Sequence, residues 1–388
     1  MNTTNSPIIS NSDSELLISL DQYPVTEIYQ QYGSNSFPFN TSFDQELRFC
    51  PKTNHAFMSH QLPQEFIYNS ENYNTHSSTS IGSLNALDNF FNFIQSDGDL
   101  SSDAVIDIGA NDTTLLKRFS GKAQKLVGID PNINSDDRDI ECIKDFFENV
   151  DIQSISPNKK TFLSSHTLEH IYDPRKFMQI LSESTNENDS FFFQFPSIDL
   201  LIRDSRFDQL HHQHLHLFSI QSFSQLIADF GFKIVKYQFD PDHYGTLMVQ
   251  FKKTQNEIKI FEYENGFYSI EEIKRRYEIF LQNISLANER ILQDEAPLYC
   301  YGASLMLPII SYYIPEMKKA IKIIDTDSSK SGLSYVNFDV EIVNGSGIDL
   351  TKANVLITAL ATKFATRKIA NVLSELKAMN IILPLNTI

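Results

Sequence analysis

Cysteine is scarce in this chain: three in 388 residues, Cys50, Cys142 and Cys300, with no CxxC pair. An odd count without a framework points to reduced thiols in a reducing compartment, each a small buried hydrophobe rather than a nucleophile. Positive charge is scarce as well. Lys+Arg number 32 against 49 Asp+Glu, for a formal charge of -17, and the first hundred residues hold only Arg48 and Lys52 as basic groups. Such a chain repels phosphate backbones, so no nucleic-acid partner is expected, although a small anion can still be met by N–H groups at a helix N-terminus. No apolar run is long enough to cross a bilayer, and residues 1–19 lack a basic stretch followed by an apolar one. A cytoplasmic protein with no membrane partner is the expectation.

What is present reads as an ordinary α/β protein, 41% hydrophobic and 21% charged, long enough for two or three domains. Residues 1–20 are Asn/Ser/Thr-rich and are expected to be disordered. Residues 21–82 form a small aromatic N-terminal module without clear periodicity. Between 83 and 255 helical and strand patterns alternate. A helical spacing over 84–94 precedes the apolar runs Ala104–Ile108, Leu126–Ile129, Thr161–Ser165 and Phe191–Phe195, with a helix over 174–184. Two further runs, 232–237 and 246–251, look like a closing pair. Ser269 and Glu272 make a capping box that opens a long helix, whose apolar face is Ile273, Tyr277, Phe280, Ile284, Ala287 and Ile291. From there 256–388 restarts the strand–helix pattern as a second Rossmann-like unit.

The most informative stretch is Val105-Ile106-Asp107-Ile108-Gly109-Ala110-Asn111-Asp112. A buried strand ends in a glycine, a helix is expected a few residues later, and about twenty residues on Asp130 stands at the tip of the next strand. A carboxylate there can accept both hydroxyls of a ribose. The single glycine speaks against a dinucleotide, whose loop carries G-x-G-x-x-G, and leaves an exposed Asp130 on a plain αβ turn as the competing reading.

These residues, with Gly128-Ile129-Asp130-Pro131 and Ser165-His166-Thr167-Leu168-Glu169-His170, resemble motifs of class I S-adenosylmethionine (SAM)-dependent methyltransferases. More narrowly, the chain resembles the nucleotide-sugar C-methyltransferase family through Tyr68 to Ser80, through His211-His212-Gln213-His214-Leu215-His216, and through Tyr301-Gly302-Ala303-Ser304 and Asp325 to Gly332. The resemblance implies a class I methyltransferase domain, a second C-terminal Rossmann-like domain and a small N-terminal module. It implies SAM held by Asp107, Gly109, Asn111, Asp130, Pro131, Phe147, Ser165, His166, Ser78 and Tyr68. It further implies a nucleotide-linked 4-keto sugar as acceptor, touched by His243, Tyr301 and Lys330.

The departures from that family bear on chemistry. Its N-terminal zinc module uses paired CxxC motifs, whereas Cys50-Pro51-Lys52-Thr53 keeps one cysteine, and neither His55 nor His60 completes a site at usual spacing. No metal is expected. Thr113 stands where the family prefers glycine and crowds the cofactor loop. The family's Tyr-His-Glu-His segment is here His211, His212, Gln213 and His214, so a carboxylate has become an amide. Carbon methylation beside a ketone needs a base and a group that steadies the enolate. His214 is the expected base, His212 or His211 the donor to the enolate oxygen, and Gln213 an orienting group. His166, Glu169 and His170 either wall the transfer pocket or pack a helix start, and Phe146 with Phe147 either meets adenine or is plain core. The histidine cluster also admits a structural or a metal-binding reading. Three functional readings stay open: C-methylation of a nucleotide-linked keto sugar, SAM-dependent methylation of oxygen or nitrogen, and a degenerate homologue that binds a sugar nucleotide or partner without methyl transfer.

Overall fold

The protein, as a computed structural model, is described over residues 4–10, 12–34, 37–63, 66, 81–96, 102–156, 158–243, 245–261, 268–360 and 362–385. Four strands open the chain: β1 (Glu15–Pro24), β2 (Tyr29–Gln31), β3 (Ser42–Cys50) and β4 (His55–Met58). Helix α1 (Ile81–Gln95) leads into β5 (Ser102–Ile108), β6 (Ala123–Ile129) and β7 (Ile140–Ile143), then the short α2 (Ile152–Ile155). Next come β8 (Lys160–Ser165), α3 (Pro174–Glu183), β9 (Ser190–Pro196), α4 (Ile198–Arg203) and β10 (His216–Leu217). Helix α5 (Ile220–Ala228) and strands β11 (Phe232–Asp240) and β12 (Thr246–Lys253) complete the central layer.

The central sheet runs β11-β12-β9-β8-β5-β6-β7, parallel from β9 to β7, with β12 antiparallel to both its neighbours. Strand β9, Ser190-Phe191-Phe192-Phe193-Gln194-Phe195-Pro196, is buried at every position, as a strand covered on both faces must be. One face packs Leu87, Phe90, Phe93 and Ile94 of α1 onto Val105, Leu163 and Phe192. The other packs Phe177 and Leu181 of α3 and Phe223 and Ile227 of α5 onto Ile106, Phe162 and Phe193. Helix α3 starts where the sequence places it, because Asp173 accepts from the N–H of Lys176 and Pro174 takes the first turn. Strand order reverses at β5: β6 lies to one side and β8 to the other. In open α/β sheets ligands bind outside the carboxyl ends at such a switch point.

After the long α6 (Ile270–Gln293) come β13 (Leu298–Tyr301), α7 (Leu307–Tyr313), β14 (Lys322–Ile324), β15 (Leu333–Tyr335), β16 (Ile342–Val343), β17 (Asn354–Ile357), α8 (Lys363–Glu375) and β18 (Asn380–Ile382). The sheet β16-β14-β13-β17-β18 is parallel throughout. Its first turn repeats that of the central sheet: Gly302 has φ +103°, and the N–H of Ala303 donates to Asp325 at the tip of β14, 2.6 Å away. The Ser269 hydroxyl caps α6 by accepting from the N–H of Glu272, but the Glu272 carboxylate turns to Arg275 and Arg276, so the reciprocal half of the expected box is replaced by ion pairs.

The N-terminus corrects an expectation. Residues 15–20 are not disordered but form the first half of β1, which pairs with β3 and buries Leu17, Ile18, Leu20 and Tyr23. Irregularities between Leu16 and Ile18 and between Leu20 and Tyr23 break the two-residue alternation that marks a strand in sequence. The segment also shares its core with later parts of the chain, where these side chains join Phe280 and Ile284 of α6 and Ile309 and Ile310 of α7 in one cluster. Strand β10, deep in the central layer's sequence, closes the N-terminal sheet β1-β3-β4-β10, and β2 pairs with β15. Among the described residues no helix is long and apolar enough to cross a membrane.

Candidate active site

A cavity of about 270 Å³ opens at the carboxyl ends of β5, β6 and β8, on the switch point. Gly109 ends β5 at φ +80°, and a Cβ there would lie 2.0 Å from the Thr167 hydroxyl, so glycine is needed for conformation and for space. The expected helix after this turn is a single 3₁₀ turn, Leu116–Phe119. Asn111 (φ +49°) and Thr113 (φ +60°) lie in the left-handed region, which a continuing helix cannot hold. Thr113 is a β-branched residue at such a φ, and its hydroxyl bonds Ser135 at 2.7 Å.

Asp130 lines this crevice. Its two oxygens accept the N–H groups of Asn111 (3.1 Å) and Asn132 (2.7 Å). Burial raises its pKa, partly offset by those donors. Below it, Asp107 is buried and its Oδ1 has no partner among the described residues. Burial, with Asp130 and Asp112 nearby, pushes this carboxyl up to about 7. Gly109, Asn111, Asp107, Asp130, Pro131, Ser165 and His166 all line the cavity, as does Phe147. Phe147 belongs mostly to the core, its ring 4.8 Å from that of Phe177, while Phe146 is the exposed ring of the pair. Tyr68 and Ser78 lie outside the described residues.

The floor is a histidine cluster: His166, His170, His211, His214 and His243 line it together with Gln213. The N-terminal sheet holds this loop in place. Tyr23 donates through its hydroxyl to the Leu210 carbonyl (2.8 Å), Met58 N–H donates to the Leu215 carbonyl (2.9 Å), and His216 and Leu217 pair with Phe57 and Ala56. Thr26 donates to Gln213 Oε1 (2.9 Å). That same oxygen accepts from His211 Nδ1 (2.7 Å), which fixes the tautomer and leaves the lone pair on His211 Nε2, a buried atom with no partner among the described residues. Burial lowers His211 and His243 to about 3, and His214 falls well below the usual imidazole range, from burial first and His211 and His170 next. His211, His214 and His243 are therefore neutral at physiological pH. Cys50, at the end of β3, is buried with its thiol 3.3 Å from the Ser12 hydroxyl.

Three expected site residues are not brought here. His212 points the other way, its Nε2 donating to the Tyr23 carbonyl (3.0 Å) and its Nδ1 accepting from the Gln45 amide (3.2 Å). It fastens the loop to β1 and β3 and cannot donate to a substrate in the cavity. Tyr301 and Lys330 are absent from the cavity wall. Tyr301 ends β13 in the other parallel sheet, and Lys330 donates to the Ala303 carbonyl (2.9 Å). Conversely, Glu27, Gln194 and Leu305 line the cavity and were missed. Gln194 had a signal: it is the one polar residue in a run of phenylalanines, and its amide holds the Ser165 hydroxyl at 2.7 Å. His166 also has a positive φ, +53°, with its N–H bonded to the Gln194 carbonyl.

Comparison with known proteins agrees with this geometry. Residues 84–237 match the family model described as a methyltransferase domain. Over 160 residues the chain is 26% identical to the C-methyltransferase NovU of Streptomyces niveus, a match covering 39% of this chain and 37% of that protein. The match thus spans little more than a third of the relative's length. Among solved structures, a SAM-bound magnesium protoporphyrin IX methyltransferase from Synechocystis is 11% identical, with 45% of this chain and 81% of that one covered and a TM-score of 0.33. A Burkholderia thailandensis 1,6-didemethyltoxoflavin-N1-methyltransferase, bound to its substrate and S-adenosylhomocysteine, is 11% identical over 52% of this chain and 96% of that one, with a TM-score of 0.39. The central layer has a Rossmann-like α/β fold, and its residues 84–237 match a methyltransferase domain.

Proposed function

We propose that this chain methylates a carbon beside the ketone of a nucleotide-linked sugar, with His211 as the proton-accepting base. When bound, SAM supplies an electrophilic methyl group on a sulfonium. The residues present suit it: Asp130 offers two fixed carboxylate oxygens to ribose hydroxyls, Asp107 offers a buried, unpartnered oxygen to the ammonium, and Gly109 keeps the crevice clear. Phe146 lies exposed at the wall, where an adenine ring can stack.

The observation that carries the reading is the bare Nε2 of His211 in the same cavity as the Asp130 crevice. Gln213 Oε1 holds the opposite ring nitrogen, so the ring keeps its lone pair on Nε2 and its orientation when it takes the α-proton. This moves the base from His214, the residue expected from the sequence, to His211. The lost family glutamate is then no gap, because an amide oxygen is sufficient to fix an imidazole tautomer. Sugar and carbon as the target are supported by the ordered motifs along the chain and by the C-methyltransferase relative.

The experiment is product analysis by mass spectrometry and NMR on nucleotide 4-keto sugars incubated with SAM. A carbon-bound methyl, lost in His211→Asn, supports the reading. A methyl on oxygen or nitrogen, or no product with any sugar of the panel, overturns it.

A further inference from the structure

Beneath the histidines lies Glu169, fully buried, on the 3₁₀ turn Leu168–His170 that follows β8. Its Oε1 lies 3.2 Å from His166 Nδ1 and 4.0 Å from both His170 Nε2 and His214 Nε2. Its Oε2 has no hydrogen-bond partner among the described residues. A carboxylate taken out of water is costly unless a cation or a full set of donors compensates it. Among the described residues its ion-pair partners are imidazoles alone, with no lysine or arginine. An orphaned oxygen on a buried acid, ringed by imidazoles, is the donor chemistry of a metal site.

Geometry adds to chemistry. One donor atom each from Glu169, His170 and His214 lie within 4.8 Å of one another. His170 Nδ1 donates to the Gln213 carbonyl at 2.8 Å, so Nε2 is the nitrogen turned toward Glu169. A backbone carbonyl behind an imidazole is the usual device that sets the ring of a metal ligand. We propose that Glu169, His170 and His214 bind one divalent transition-metal ion of the zinc class at the cavity floor. Two histidines and one carboxylate leave coordination positions open, as in catalytic rather than structural sites. Bonds of about 2.1 Å place neighbouring ligands roughly 3.4 Å apart in a tetrahedral shell, so the three side chains draw together by roughly 1 Å on loading. His211 stays outside the ligand set and keeps its Nε2 for the substrate. Binding of the ion stands without the proposed reaction. Its use rests on that reading: His170 and His214 line the cavity, so the ion polarises the acceptor's carbonyl oxygen and steadies the enolate.

The test uses the full chain, stripped with a chelator and titrated with Zn²⁺, and with Co²⁺ for its visible absorption. Metal per chain is counted after gel filtration. We expect one ion per chain in the wild type and in His211→Asn, with affinity reduced at least about 100-fold in Glu169→Gln and His214→Asn. S-adenosylhomocysteine affinity in each variant, expected within about threefold of wild type, shows that the fold is intact. If one variant fails that control, the other is read. Below about 0.1 ion per wild-type chain at saturating zinc, or wild-type affinity in a folded Glu169→Gln, the site does not exist. Loss of S-adenosylhomocysteine binding with metal binding kept would strike at the methyl-transfer reading instead.

Discussion

Replacing Asp107 with asparagine should change how stability depends on pH, and the size of the change follows from where the residue sits. Its carboxyl is buried at the end of β5 beneath Asp130, and burial with the Asp130 and Asp112 charges raises its pKa from 3.8 to about 7. The folded protein therefore holds a proton there that the unfolded chain releases near 3.8. Protons bound in the native state and not in the unfolded one make stability fall as pH rises. The contribution is fully present below about 4, is lost progressively up to about 7, and is flat above that. Between pH 5 and pH 8 about two pKa units are traversed, at 1.36 kcal/mol each, so the wild type should lose about 3 kcal/mol that Asp107→Asn keeps. Urea unfolding of both proteins without cofactor, at pH 5 and pH 8, gives the difference directly. Added S-adenosylhomocysteine should restore the wild type selectively at pH 8, because the ammonium proposed to lie beside Asp107 would compensate its charge. Parallel pH dependence of the two proteins, to within about 0.5 kcal/mol, would refute the burial argument.

Other substitutions separate neighbours. His211→Asn should lower turnover by about 10²- to 10⁴-fold with little change in cofactor affinity. His212→Asn should leave turnover within about threefold of wild type but cost about 1–3 kcal/mol of stability, through its bonds to the Tyr23 carbonyl and Gln45 amide. The reverse pattern in steady-state rates and unfolding curves would exchange their roles. Gly109→Ala must move Thr167 and strain a φ of +80°, so a loss of about 2–4 kcal/mol and of S-adenosylhomocysteine binding is expected. A melting temperature equal to wild type would contradict it.

How much of this was legible in the sequence depends on how far apart the cooperating residues lie along the chain. The Gly109 turn and Asp130 are joined by one strand–turn–strand unit, so their spacing offered a ribose-type crevice beside a plain αβ turn, and a cavity lined by both opens there. The histidine loop announced a cluster but not its directions. Between His211 and His212 the side chain swings from the cavity to the N-terminal sheet, and the partners that decide this, Thr26 through Gln213 and Tyr23 with Gln45, are more than 160 residues away. The same distance hid Glu27 and Leu305. The start of β1 was obscured for a local reason: the Asn/Ser/Thr-rich residues before it and two irregularities in its pairing hid a strand that buries Leu17, Ile18 and Leu20. The N-terminal segment, which has no cysteine pair, shares a core with α6 and α7.

The claim on which the rest depends is that the crevice between Gly109 and Asp130 holds the adenosyl group of the methyl donor. Calorimetric titration of the wild type and of Asp130→Ala with S-adenosylhomocysteine tests it most directly. The account predicts one molecule per wild-type chain and an affinity at least about 100-fold weaker in the variant, the loss of two charge-assisted hydrogen bonds. No binding by the wild type, or equal affinity in the two proteins, would contradict it.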